Sequence, residues 1–222
     1  MFVEAFFNLE VLAQAWPILL MGLTQTVLLS ALVVPLGVAG GLVLALLSLA
    51  KSRWVRWPLM AWVDVFRALP PLVLLVFVYA GLPFAGIEVP AWGAVAIGFT
   101  LNTGAYYGEI FRAGIASVPP GQLEAARSLG LSRARGMRLV VLPQAVRNCL
   151  PDLISNTLEV VKLTSLAAVV ALPELLFQAR QAQSVTFNAT PIVAAAVAYF
   201  VLLWPVVRLL SRLENRQLAG RG

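Results

Sequence analysis

The chain contains no histidine, and its 222 residues hold a single cysteine, Cys149. Without histidine there is no imidazole base, proton shuttle or imidazole metal ligand. One cysteine inside an apolar stretch excludes an intrachain disulfide and a multi-cysteine metal site. Charge is scarce too: 12% of residues are charged, about half the share of an ordinary soluble domain. No G-x-x-x-x-G-K-[ST] phosphate loop occurs, so the chain does not hydrolyse ATP by that chemistry.

What the sequence has instead is apolar length. Sixty per cent hydrophobic residues make lipid the natural solvent, and about 20 apolar residues of helix cross a bilayer core, so this length holds about five or six spans. The runs are 17–50, then about 69–80 with a start as early as Trp57, then 92–111, a span within 140–172, and 192–207. The fourth must accommodate Arg147, Asp152, Glu159 and Lys162. Residues 1–9 carry Glu4 and no basic residue, unlike a cleaved secretory leader, so the first span is expected to target the chain. The expectation is an all-α integral membrane protein of five transmembrane helices, one domain over residues 1–222, with no internal inverted repeat.

The net charge of +6 reads as a topology signal, not as a nucleic-acid surface. Lys51, Arg53 and Arg56 follow the first run, Arg112 the third, Arg127, Arg133, Arg135 and Arg138 fall in one loop, and Arg208, Arg212, Arg216 and Arg221 close the chain. Five spans put nearly all of these on one side, with Arg180 the exception. The positive-inside rule then sets the N-terminus outside and the C-terminus in the cytoplasm.

The loop at about 117–139 is polar and helix-forming. Pro119 and Pro120 suit a first helical turn, Gly130 a stop, and Ser132 the cap of a second short helix. On composition alone this is an amphipathic helix resting on anionic membrane lipid. Its wording carries more. Glu124-Ala125-Ala126, three residues, Gly130, nine residues and Val140-Val141-Leu142-Pro143 resemble the EAA signature of ATP-binding-cassette (ABC) importer permeases, with Val140 in place of isoleucine. Arg67 with Pro70-Pro71, Tyr106 through Glu109 to Arg112, Gly121-Gln122, Pro143-Gln144-Ala145, Lys162 through Thr164-Ser165-Leu166, and Glu174-Leu175 extend the likeness to the polar amino acid branch (histidine, glutamine and arginine type).

The resemblance implies the type I ABC importer permease fold in a bacterial cytoplasmic (inner) membrane. It implies a coupling helix at Gln122, Glu124, Ala125, Ala126, Gly130 and Leu131 that seats on a separate ATP-binding cassette subunit. ATP and Mg belong to that subunit, and this chain binds no cofactor and is not an enzyme. The other implied partners are an extracytoplasmic solute-binding protein, a second permease chain forming a homo- or heterodimer, and the amino acid substrate. Glu124 either caps its own helix or pairs with a basic residue of the partner.

Within the spans, Asn102, Ala105, Tyr106 and Glu109 recur at i, i+3, i+4 and i+7 and share a helical face. A carboxylate facing lipid costs about 3 kcal/mol, so Glu109 either lines an aqueous substrate path or pairs with Arg112 one turn on. Glu159 and Lys162 are expected to neutralise each other, and Thr164 and Ser165 to bond backbone or ligand. Arg67 with Pro70 and Pro71 reads as an interfacial anchor before a break in the second span, and Leu72 beyond it is a further path candidate. Leu163 stands where relatives often carry an acid, which removes an acidic contact expected for a basic substrate. Two other functions fit some of these residues: an ion- or proton-coupled secondary transporter using Glu109, Glu159 and Lys162, and an intramembrane enzyme using a Ser165 and Lys162 dyad.

Overall fold

The computed structural model describes residues 2–219, and Arg221, one of the basic residues expected to close the chain, lies outside them. Among the described residues every regular element is helical. After a short α1 (Phe2–Phe6), the helix α2 (Leu9–Ser48) runs for 40 residues, about 60 Å at 1.5 Å per residue. It starts eight residues before the apolar run because Asn8 caps it, accepting from the amides of Glu10 and Val11 at 2.9 and 3.2 Å.

The second apolar run is divided. Helix α3 (Arg53–Ala68) stops at Leu69 and Pro70, which are extended. Then α4 (Pro71–Val76) continues through a π turn and a 3₁₀ turn as far as Gly86, whose φ is +79°. The two arms meet at 101°. Pro70 and Pro71 cause the break, since neither has an N–H to continue the helix and each disfavours helical backbone before it.

Next come α5 (Ala91–Ala116), the loop helices α6 (Pro120–Ser128) and α7 (Arg133–Gly136), and α8 (Leu142–Leu163), which α7 joins through a π turn. A 3₁₀ turn over 164–170 leads to α9 (Leu175–Thr186), and α10 (Thr190–Ala219) ends the described chain. Three helical stretches are long and apolar enough to cross a membrane, Glu4–Ser48, Arg133–Val170 and Thr190–Leu213, or four with the bent pair taken as one span. The expected five are therefore not all met on length and composition. The third expected run, now α5, falls short because it is an inner helix: about half its positions are buried against protein, so it is rich in glycine, alanine and polar side chains instead of lipid-facing ones.

Helix α5 is the axis of the molecule. It packs on α2 along facing glycines, Gly37 and Gly41 against Gly104 and Gly108, a pair of small-xxx-small motifs that lets two backbones touch. The larger apolar core joins α2, α4, α5 and α8, and a smaller one joins α2, α9 and α10. The polarity of the fold follows. At one end the Asn8 amide donates to Thr190 Oγ1 at 2.9 Å, bringing the start of α2 to the first residue of α10. At the other, a hollow joins Ser48 and Arg56 to Arg112 and Ala116, which gathers the first basic flank beside the α6–α7 loop.

Candidate functional site

The elbow between α3 and α4 presses on the polar stripe of α5. Asn102, 2% exposed, donates from Nδ2 to the carbonyl of Phe66 at 2.8 Å. One turn on, the Tyr106 hydroxyl donates to the carbonyl of Arg67 at 3.2 Å, and the Arg67 guanidinium lies 5.5 Å from the Tyr106 ring centre. The spacing does put Asn102, Ala105, Tyr106 and Glu109 on one stripe, but its accessibility is divided. Asn102 and Ala105 are buried, so Ala105 leaves no open room beside it, while Tyr106 and Glu109 stay partly open.

Glu109 does two things at once. Its carboxylate is gripped by both Nε and Nη2 of Arg112, the first at 2.8 Å, and it lines a cavity of about 220 Å³ with Asp64, Arg67, Gly108 and Arg112. Two acids and two bases thus face one cavity between α2, α3 and α5. A second hollow of about 680 Å³, lined by Arg56, Trp57, Met60, Asp64 and Arg112, adjoins it.

The α8 candidates stand apart from this cavity. Glu159 and Lys162 pair at 2.6 Å with both side chains more than half exposed. Thr164 is buried and donates to the Val161 carbonyl at 2.7 Å, and Ser165 donates to Lys162 at 2.8 Å, so both hydroxyls serve their own helix. Lys162 and Ser165 line a hollow of about 520 Å³ against Tyr199 and Trp204 of α10. Leu72 is exposed on α4.

The loop folds as its residues dictate. Gly130, at φ +83°, closes α6: the Leu131 amide donates to Ala126 and the Gly130 amide to Arg127, the paired bonds of a glycine-terminated helix. Ser132 Oγ accepts from the Arg135 amide at 3.4 Å and caps α7. The N-cap of α6 is Pro119, which makes no side-chain capping bond. Gln122, Glu124, Ala125, Arg127 and Leu129 are exposed and Leu131 is half-buried. Ala126 corrects the expectation of a partner contact: it is buried, and a Cβ placed on Gly136 would sit 3.5 Å from it. Its smallness lets α6 lie on α7. The loop is tied to the body by Asn148 Nδ2, which donates to Ser117 Oγ at 2.8 Å.

This architecture and loop meet their counterpart in a family model. The model described as "Binding-protein-dependent transport system inner membrane component" matches residues 37–218. The chain belongs to this family. The family reading drawn from the EAA wording is borne out, and with it an inner-membrane transport subunit that is not an enzyme. The ion-coupled transporter and the intramembrane enzyme are left without support.

Among relatives, the "Probable amino-acid ABC transporter permease protein YckA" of Bacillus subtilis (strain 168) is 41% identical over 177 residues, 80% of this chain and 78% of that protein. A solved structure described as "Crystal structure of an amino acid ABC transporter with histidines" is 37% identical, with a TM-score of 0.84 over 92% of this chain and 96% of that one. An inward-facing MetNI methionine ABC transporter, at 19% identity and a TM-score of 0.75 over 88% of this chain and 94% of that one, shares the fold. The type I importer permease fold expected from the sequence is thereby established.

Sequence reasoning quoted Glu174 only as part of the family likeness and gave no role to a polar centre that this permease builds on it. Glu174 has no exposed surface; its carboxylate accepts from the amides of Leu176 and Phe177 at 2.9 and 2.7 Å and from the Tyr199 hydroxyl at 3.1 Å. The Leu175 amide donates to Thr26 Oγ1 at 3.2 Å. Glu174 opens α9, whose polar composition hides a helix tucked against Gly22 of α2. An acid immediately before a helical stretch is the signal that would have found it.

Proposed function

We propose that this permease is one of two membrane subunits of an importer that moves polar amino acids, driven by ATP hydrolysis on a separate, Mg-dependent ATP-binding subunit. Residues 1–222 act as a single transport domain with α5 as the span beyond those that meet the length and composition test. The N-terminus lies outside and the C-terminus in the cytoplasm, which places the α6–α7 loop and its arginines on the cytoplasmic side. A solute-binding protein delivers the amino acid at the opposite face.

The observation that carries this reading is the loop. It is closed on itself by Gly130, Ser132 and Ala126 on Gly136, yet it leaves Gln122, Glu124, Ala125 and Arg127 exposed directly beyond the last turn of α5, with Gln122 Oε1 accepting from Gln144 Nε2 of α8 at 3.4 Å. In this reading the amino acid passes Leu72, Tyr106 and Glu109, with Asn102 and Ala105 buried behind them; Glu159 and Ser165 on α8, apart from that cavity, form a second candidate wall, with Thr164 buried in its own helix behind it. The cavity's equal numbers of acids and bases suit a zwitterion of no net charge. Leu163 adds no acid for a cationic side chain.

The test is co-purification with the neighbouring ATP-binding subunit, followed by amino-acid-dependent ATPase activity in liposomes. Wild type is expected to assemble and respond, and Glu124→Arg to lose the ATPase subunit. A wild-type chain that binds no ATPase refutes the reading.

A further inference from the structure

The two α5 side chains that touch the elbow bond to two particular carbonyls. In an α-helix the carbonyl of residue i accepts from the amide of residue i+4. Phe66 and Arg67 would therefore be served by residues 70 and 71, both of which are proline. The carbonyl before them, Val65, is served normally, by the Leu69 amide at 3.0 Å. The donors missing from Pro70 and Pro71 are replaced one for one by Asn102 Nδ2 and the Tyr106 hydroxyl.

In a water-poor setting an unserved carbonyl is costly, and in lipid it has no alternative partner. We propose that Asn102 and Tyr106 are positioning residues that clasp the proline elbow to α5 and set the angle between α3 and α4. They act through the elbow's backbone and not as ligands of the transported molecule. This rests on the importer reading for its consequence: α5 leads straight into the docking loop, so a shift of that loop is delivered to the elbow by two bonds one helical turn apart. The Arg67 guanidinium over the Tyr106 ring fixes the ring that carries the second bond.

The clasp makes a demand that ordinary packing does not. Restoring amide donors at 70 and 71 makes it redundant. The measurement is a distance between spin labels at Trp54→Cys and Phe84→Cys, both highly exposed, in a Cys149→Ala background of the full chain assembled with its ATP-binding subunit in lipid nanodiscs. A continuous helix from 54 to 84 would hold the labels about 45 Å apart, and the elbow holds them much closer.

The size-conserving pair Asn102→Leu and Tyr106→Phe is expected to broaden the distance and shift it toward the longer value, with ATP-driven uptake falling about tenfold, the factor that one to two hydrogen bonds represent. In a Pro70→Ala and Pro71→Ala background the same pair is expected to add no further shift. An unchanged distance in the assembled pair overturns the proposal, as does an equal shift in both backgrounds. If the pair does not assemble, Tyr106→Phe alone decides, since it deletes one hydroxyl: broadening supports the clasp and a wild-type distribution refutes it. The distance needs no transport, so a wild-type complex without uptake refutes the importer reading while the elbow is judged separately.

Discussion

Helix α5 is joined to two of its neighbours, α2 and the α3–α4 elbow, by opposite means. Against α2 the seam is made of absences: glycines face each other, and a Cβ on Gly41 would fall 2.5 Å from Tyr107 Cβ and 2.6 Å from the Gly108 amide. Against α3 and α4 the joint is made of polar bonds that reach across to carbonyls left open by proline. A seam of backbone on backbone has no second arrangement and moves as one body. A joint of two side-chain bonds has one, reached by breaking them. The difference assigns the rigid and the adjustable faces of the permease before any partner is added.

Breaking the seam has the largest expected effect. Gly41→Leu forces α2 off α5 and is expected to cost about 3 kcal/mol or more, read as loss of the monodisperse species in detergent or a collapse of the melting temperature. Gly40 is the matched control. Nothing lies within 4 Å of a Cβ placed there, so Gly40→Ala is expected to be neutral or to stabilise by up to about 1 kcal/mol. Equal losses in the two variants would show that helical glycine itself matters, and not the seam.

A second polar joint sharpens the contrast. At Glu174, α9 is held to α10 by one buried carboxylate, and its first amide is held to α2 by Thr26. Glu174→Ala leaves two amides and the Tyr199 hydroxyl without their acceptor and is expected to cost about 2–3 kcal/mol. Glu174→Gln retains an acceptor and should recover part of the loss. Thermal melting of the two variants side by side checks the order.

The loop lies between these extremes. Gly130→Ala places a Cβ on a residue at φ +83°, a conformation that costs about 1–2 kcal/mol for residues other than glycine. Nothing lies within 4 Å of that Cβ, so the strain is confined to the end of α6. The expectation is a small change in melting temperature together with weaker retention of the ATP-binding subunit in pull-down. An unaltered pull-down would mean that α6 docks without its glycine stop.

These contrasts explain what was legible in the sequence. The loop was readable nearly to the residue, because Pro119, Gly130 and Ser132 act locally and need no neighbour. The break at Pro70 and Pro71 was readable for the same reason. The seam was not: Gly37, Gly41, Gly104 and Gly108 gain meaning only when two helices far apart in sequence meet. The roles of Asn102 and Ala105 also depend on a neighbour, since periodicity places them on the stripe but only the elbow buries them. Helix α9 escaped because its polar residues resemble a loop until Glu174 is seen closing over its first turn.

The smallest expected effect belongs to the pair that neither seam nor joint uses. Glu159 and Lys162 sit one turn apart on α8 with both side chains more than half open. An exposed (i, i+3) pair in water contributes about 0.5 kcal/mol or less. Two charges turned to hydrocarbon would instead cost several kcal/mol each. Replacing both by glutamine therefore tells which medium α8 faces. A stability within about 0.5 kcal/mol of wild type means the pair stands in water, as the wall of an aqueous path must. A marked gain in stability means that the charges were turned to lipid and that the path runs elsewhere, leaving the cavity at Glu109 and Arg112 as its wall.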